Sequence, residues 1–167
     1  MKRLLIFLGV FMLGIGSAKA ELNVGDPAPD FTAPSSDGSQ VHLKTIVGQA
    51  PIVLYFYPKD DTPGCTKEAC SLRDDFGAFR KLDATVFGVS YDTIESHKKF
   101  IEKYHLPFAL LSDSDHAIAK AYGADGSFGA KRRTYVIDKS GHIAWINPAV
   151  NPATHSKELQ DVLAKLH

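Results

Sequence analysis

Ile52-Val53-Leu54-Tyr55-Phe56-Tyr57-Pro58-Lys59-Asp60-Asp61-Thr62-Pro63-Gly64-Cys65-Thr66-Lys67-Glu68-Ala69-Cys70 is the stretch from which the rest of the chain can be read. Residues 52–57 are apolar or aromatic throughout, the pattern of a central strand buried on both faces. Pro58 ends that run. A helix start follows, with Thr62 at the N-cap, Pro63 at the first helical position and Cys65 in the first turn. A cysteine there faces unpaired backbone N–H groups and the positive end of the helix dipole. Both favour thiolate over thiol, so Cys65 is expected to be a nucleophile at neutral pH.

The helix is expected to run over residues 63–79. Cys65, Ala69, Leu72, Phe76 and Phe79 fall at alternating spacings of four and three, which places the Cys65 thiol on the buried face. Cys70 sits on a different flank, rotated by about 140°. In an intact helix the two Cα atoms would be roughly 8.7 Å apart, beyond the limit of about 7 Å for a disulfide. The cysteines can pair only if the first turns melt. A bond that conflicts with its own secondary structure is a poor staple and a good switch, so the pair reads as redox-active.

Outward from this stretch, residues 31–33 and 40–43 flank Ser35-Ser36-Asp37-Gly38-Ser39 as an N-terminal β-hairpin. A second apolar strand covers 85–90. Asp92 is read as the cap of the next helix, with Glu95 three residues on and Ile94, Ile101 and Tyr104 roughly on one face. A short strand at 108–111 and a short helix at 115–122 follow. Residues 133–137 and 143–146 form a second hairpin around Asp138-Lys139-Ser140-Gly141. The last helix starts near Thr154, with Leu159, Val162, Leu163 and Leu166 at helical spacing. This order predicts an α/β fold with a central mixed β-sheet flanked by helices on both faces. In such sheets the functional site lies beyond the carboxyl ends of the central strands, where residues 58–65 fall.

The chain has 167 residues and 44% apolar composition, enough for one domain with a proper core. Residues 1–20 read as a secretory signal peptide: Lys2 and Arg3 precede an apolar run over 4–15, and Ala18-Lys19-Ala20 resembles a cleavage site. The run is shorter than the ~18 residues of a membrane span. The mature domain is therefore expected over residues 21–167, periplasmic or secreted and free of the membrane. Taking Lys2, Arg3 and Lys19 from the 19 basic residues leaves 16 against 19 acidic, a net charge of −3. No basic run stands out, which argues against nucleic acid as a partner. The seven histidines (42, 97, 105, 116, 142, 155 and 167) show no metal-ligand spacing and read as surface or packing residues. Trp145 reads as a packing residue of the second hairpin.

With these residues in place, the chain resembles a peroxiredoxin. The family's Pro-x-x-x-Thr-x-x-Cys signature is met by Pro58, Thr62 and Cys65. The longer run through Cys70, with Arg73-Asp74, is similar to the PrxQ or bacterioferritin comigratory protein subfamily. The similarity extends to Gly25-Asp26-Pro27-Ala28-Pro29-Asp30-Phe31 and to Arg132-Arg133-Thr134-Tyr135-Val136-Ile137-Asp138. It implies a thioredoxin-like fold and reduction of hydrogen peroxide or organic hydroperoxides without metal, haem or flavin. By position, Cys65 would be the peroxidatic cysteine, oxidised to a sulfenic acid, and Cys70 the resolving cysteine. Thr62 would hold thiolate and substrate, Pro58 would shield the sulfenic acid, and Arg132 would favour the thiolate and the charge developing on oxygen. Strand alternation sends Arg132 and Arg133 to opposite faces, and counting back from Asp138 selects Arg132 for the site. Glu68 reads as a helix-surface acid, with orientation of Arg132 as its alternative role. The local pair Cys65–Cys70 needs no second chain, so a monomer is expected, recycled by an exported thioredoxin-like reductant.

Two other functions fit the same fold less well. A disulfide oxidoreductase would want Cys-x-x-Cys, whereas four residues separate these cysteines, and a cis-proline that the run 127–132 lacks. A copper-binding chaperone would want Cys-x-x-x-Cys and a distal histidine.

Overall fold

The structure, a computed structural model, describes residues 21–166. The expected signal peptide lies outside the described residues. Strands β1 (Thr32–Pro34) and β2 (Gln40–His42) form a small antiparallel sheet with Ala33 opposite Val41. Its turn closes through Ser35 N–H donating to the Ser39 carbonyl at 2.9 Å. A single helical turn, α1 (Leu43–Ile46), leads to β3 (Ile52–Phe56), every residue of which is buried. Tyr57, expected to end that strand, lies one residue beyond it. It is still buried and donates its N–H to Val89 at 3.1 Å.

The single helix expected over 63–79 is two: α2 (Pro63–Asp74) and α3 (Phe76–Lys81). The break falls at Asp75, at φ −96° and ψ 8°. Aspartate is a weak helix former, and here its carboxylate accepts a 2.6 Å bond from Ser156 Oγ. Strand β4 (Thr85–Ser90) precedes α4 (Ile94–Tyr104). The cap of α4 is Thr93, whose hydroxyl accepts from Ser96 N–H, and not Asp92. Asp92 is drawn inward instead, accepting from Ser90 Oγ at 2.6 Å and from the Asp60 N–H at 2.9 Å. The buried stripe of α4 is His97 and Phe100, while Ile101 and Tyr104 are partly buried. Strand β5 (Ala109–Ser112), helix α5 (Ala117–Ala121), strands β6 (Arg133–Ile137) and β7 (Ile143–Asn147), and helix α6 (His155–Leu163) complete the chain. Leu166 falls outside α6 and is exposed, so the apolar stripe of that helix ends at Leu163.

The main sheet has the order β5-β4-β3-β6-β7, with β3 parallel to β4 and antiparallel to β6. Period-two alternation along β3 supplies both cores. Ile52, Leu54 and Phe56 face the β1–β2 sheet, Ile118 and Ala119 of α5, and Tyr122. Val53, Tyr55 and Tyr57 face Cys65, Ala69 and Leu72 of α2, Phe100 of α4, and Leu159 and Leu163 of α6. Trp145, opposite Val136 in the β6–β7 pair, packs against this second core. Among the described residues no helix is long and apolar enough to cross a membrane.

Candidate active site

The carboxyl end of β3 delivers the chain into residues 57–62, and α2 starts from there. Thr62 is the N-cap in extended conformation and Pro63 opens the helix. The Thr62 hydroxyl does not cap; it donates to the Lys59 carbonyl at 3.0 Å, while the Thr62 carbonyl accepts from Thr66 N–H at 2.8 Å. Cys65, 2% exposed, ends up on the inner side of the first turn.

Across from it stands Arg132, one residue before β6. Its Nη2 donates to Cys65 Sγ at 3.2 Å and its Nη1 pairs with Glu68 Oε2. Burial pulls the guanidinium down, but the charge of Glu68 and the bond to the Cys65 sulfur outweigh it, and the net shift is upward. The arginine stays charged while half-buried. Gly64 makes room for it: a Cβ there would lie 3.3 Å from Arg132 Nη2. Arg133 points the other way, to Glu21 at 3.0 Å and the Tyr135 hydroxyl.

Glu68 is not a surface acid. It is fully buried, between Arg132 and His155. His155 Nδ1 lies 3.0 Å from Glu68 Oε1, at ion-pair distance but outside the angular limits of a hydrogen bond. The other ring nitrogen, Nε2, meets Thr134 Oγ1 at 2.9 Å. A lone buried carboxylate would be costly; a cation on one side and an imidazole on the other make it tenable. Tyr55, also on this face, is pushed well above the ordinary phenol range by burial and then by the charge of Glu68, and so stays protonated.

A second buried carboxylate pins the loop. Asp60 accepts from the Tyr57 hydroxyl at 2.6 Å and from Ser96 Oγ at 2.7 Å, and lies 2.9 Å from His97 Nδ1. Outside it, Asp61 takes Lys103 Nζ at 2.7 Å and the Tyr104 hydroxyl at 2.6 Å. The 57–62 loop is thus fastened to α4. His97 and His155, read from sequence as surface or packing residues, are both fully buried partners of carboxylates. Spacing offered a signal only for Glu68, which shares the helical face of Cys65, Ala69 and Leu72; nothing local marked the histidines.

Pro58 is half-buried, and its carbonyl lies against Gly129. A Cβ at Gly129, whose φ is +118°, would sit 2.4 Å from Pro58 O. Cys70 lies farther along the unbroken α2, half-buried, and both cysteines are free thiols. The site therefore joins a buried thiol at a helix start to a fixed guanidinium, with a second thiol held away by helix geometry. Such a site can attack an electrophilic oxygen or sulfur and stabilise charge on the leaving atom.

Residues 24–146 match the AhpC/TSA family. A putative peroxiredoxin bcp from Coxiella burnetii is 42% identical over 146 residues, covering 83% of this chain and 96% of the relative. Peroxiredoxin Q of Arabidopsis thaliana chloroplasts is 48% identical, covering 83% and 66%. Among solved structures, peroxidoxin BcpB from Mycobacterium tuberculosis superposes with a TM-score of 0.83 at 31% identity, covering 88% and 99%.

Proposed function

This chain belongs to the AhpC/TSA family as a peroxiredoxin of the Q type, a thiol-dependent peroxidase, and we propose that Cys65 is its peroxidatic cysteine. The observation that carries this is the 3.2 Å contact of Arg132 Nη2 with Cys65 Sγ at the start of α2. The thiolate attacks the terminal oxygen of hydrogen peroxide or an organic hydroperoxide. The O–O bond breaks, the sulfur becomes a sulfenic acid, and water or an alcohol leaves after taking up a proton. Arg132 faces the charge that moves from sulfur to oxygen. Thr62, whose hydroxyl donates to the Lys59 carbonyl, orients the peroxide by accepting from its O–H, and Pro58 shields the sulfenic acid.

Cys70 then attacks the sulfenic sulfur, forming an intramolecular disulfide and releasing water. A dithiol reductant restores both thiols. The basic start, short apolar run and Ala18-Lys19-Ala20 support export to the periplasm or the medium, where that reductant is an exported thioredoxin-like protein. Resolution within one chain supports a working monomer.

Stopped-flow oxidation of the mature protein by hydrogen peroxide, followed by mass spectrometry of its cysteines, tests the assignment. Cys65→Ser is expected to be inactive. Cys70→Ser should react once and stop at the sulfenic or a higher acid. An active Cys65→Ser with an unreactive Cys70→Ser would reverse the roles.

A further inference from the structure

Arg132 serves two partners with one guanidinium. Nη1 serves Glu68 Oε2 and Nη2 serves Cys65 Sγ. A carboxylate facing a guanidinium prefers to engage it through both oxygens, in a fork that uses two N–H groups. If Glu68 did so, Nη2 would turn from sulfur to oxygen. What stands against that is His155, whose Nδ1 lies 3.0 Å from Oε1, an oxygen with no hydrogen-bond donor of its own among the described residues.

The imidazole is itself held. Nε2 meets Thr134 Oγ1 at 2.9 Å, and the Tyr55 ring stands edge-on with its centroid 6.2 Å away. Tyr55 and Thr134 are opposite each other in the β3–β6 ladder, so one rigid pair of strands locates both contacts. One residue on, Ser156 bonds Asp75 at the end of α2, which ties the first turn of α6 to α2 a second time.

We propose that His155 is a positioning residue for peroxide reduction: by holding Glu68 Oε1 it restricts the carboxylate to one contact with Arg132 and so keeps Nη2 on Cys65 Sγ. This rests on Cys65 being the peroxidatic cysteine. His155 touches no reacting atom. It acts through Glu68 and then Arg132.

The test is the rate of Cys65 oxidation by hydrogen peroxide in single-turnover stopped flow, read by Trp145 fluorescence and checked by mass. His155→Leu should slow that step by roughly tenfold, a partial loss of one donor's contribution. His155→Asn keeps an N–H near the Nδ1 position and should stay within about threefold of wild type. His155→Gln reaches towards Thr134 instead and should be as slow as the leucine variant. With Glu68→Gln already present, adding His155→Leu should change the rate by less than about twofold, because the coupling runs through the carboxylate. Should the leucine variant fail to fold, the asparagine and glutamine variants alone decide. Equal rates for those two, or a leucine effect undiminished beside Glu68→Gln, overturn the proposal. A wild-type Cys65 that peroxide does not oxidise overturns the assignment of Cys65, and the role of His155 with it.

Discussion

Oxidation to the Cys65–Cys70 disulfide is expected to unwind the segment 62–72 while β3 stays intact. Both cysteines lie within α2, where helix geometry separates their Cα atoms by roughly 8.7 Å, so the bond and those turns exclude each other. Four residues of α2 are buried: Cys65, Glu68, Ala69 and Leu72. Lifting Leu72 off the core costs about 2 kcal/mol and Ala69 about 0.8 kcal/mol. Glu68 must also leave Arg132 and His155. The short disulfide loop returns about 2 kcal/mol by restricting the unfolded chain, so the oxidised protein should be modestly less stable than the reduced one. The local signal is larger than the global one. About 3 kcal/mol of apolar burial in the reduced state corresponds to protection of at least roughly a hundredfold, at 1.4 kcal/mol per decade, for amides that open with α2. Hydrogen exchange read by mass or NMR should show that protection disappear over residues 66–72 on oxidation, with Ile52–Phe56 unchanged. Undiminished protection in α2, with the intramolecular disulfide confirmed by mass, would mean that the disulfide forms without unwinding the helix.

Arg132→Ala should slow peroxide reduction at least a hundredfold, about 2.7 kcal/mol of transition-state stabilisation, and lower the melting temperature, since Glu68 keeps only His155. Arg133→Ala, whose partners are Glu21 and Tyr135, should run close to wild type; an impaired Arg133→Ala beside an unimpaired Arg132→Ala would place the catalytic cation on the other face. Gly129→Ala should destabilise by more than about 1 kcal/mol, because its φ is +118° and the new Cβ would press on the Pro58 carbonyl. Peroxidase activity should fall with it as Pro58 shifts, and a thermal melt and activity indistinguishable from wild type would show that the loop yields freely.

The strand, the helix start and the place of Cys65 were legible because each rests on local chemistry. An unbroken apolar run, a proline, an N-cap threonine and a proline at the first helical position act within a few residues of one another. The same spacing rule carried the Glu68 signal: positions 65, 68, 69 and 72 share one face. It was outweighed by the general tendency of glutamate to be exposed. That tendency fails here because Arg132 and His155, 64 and 87 positions further along the chain, supply the charge and the polar contact that a buried carboxylate requires.

Local chemistry alone therefore places Cys65 in its strand–turn–helix frame, and strand alternation separates Arg132 from Arg133. The sheet order, the break at Asp75 and the two buried carboxylate–histidine contacts were decided only by tertiary structure. Asp75 accepts a bond from Ser156 of α6, Asp60 meets His97 of α4, and Glu68 meets His155 of α6. Each joins elements far apart in the chain, and the energy of burying a charge depends on the partner brought to it, which no local pattern encodes.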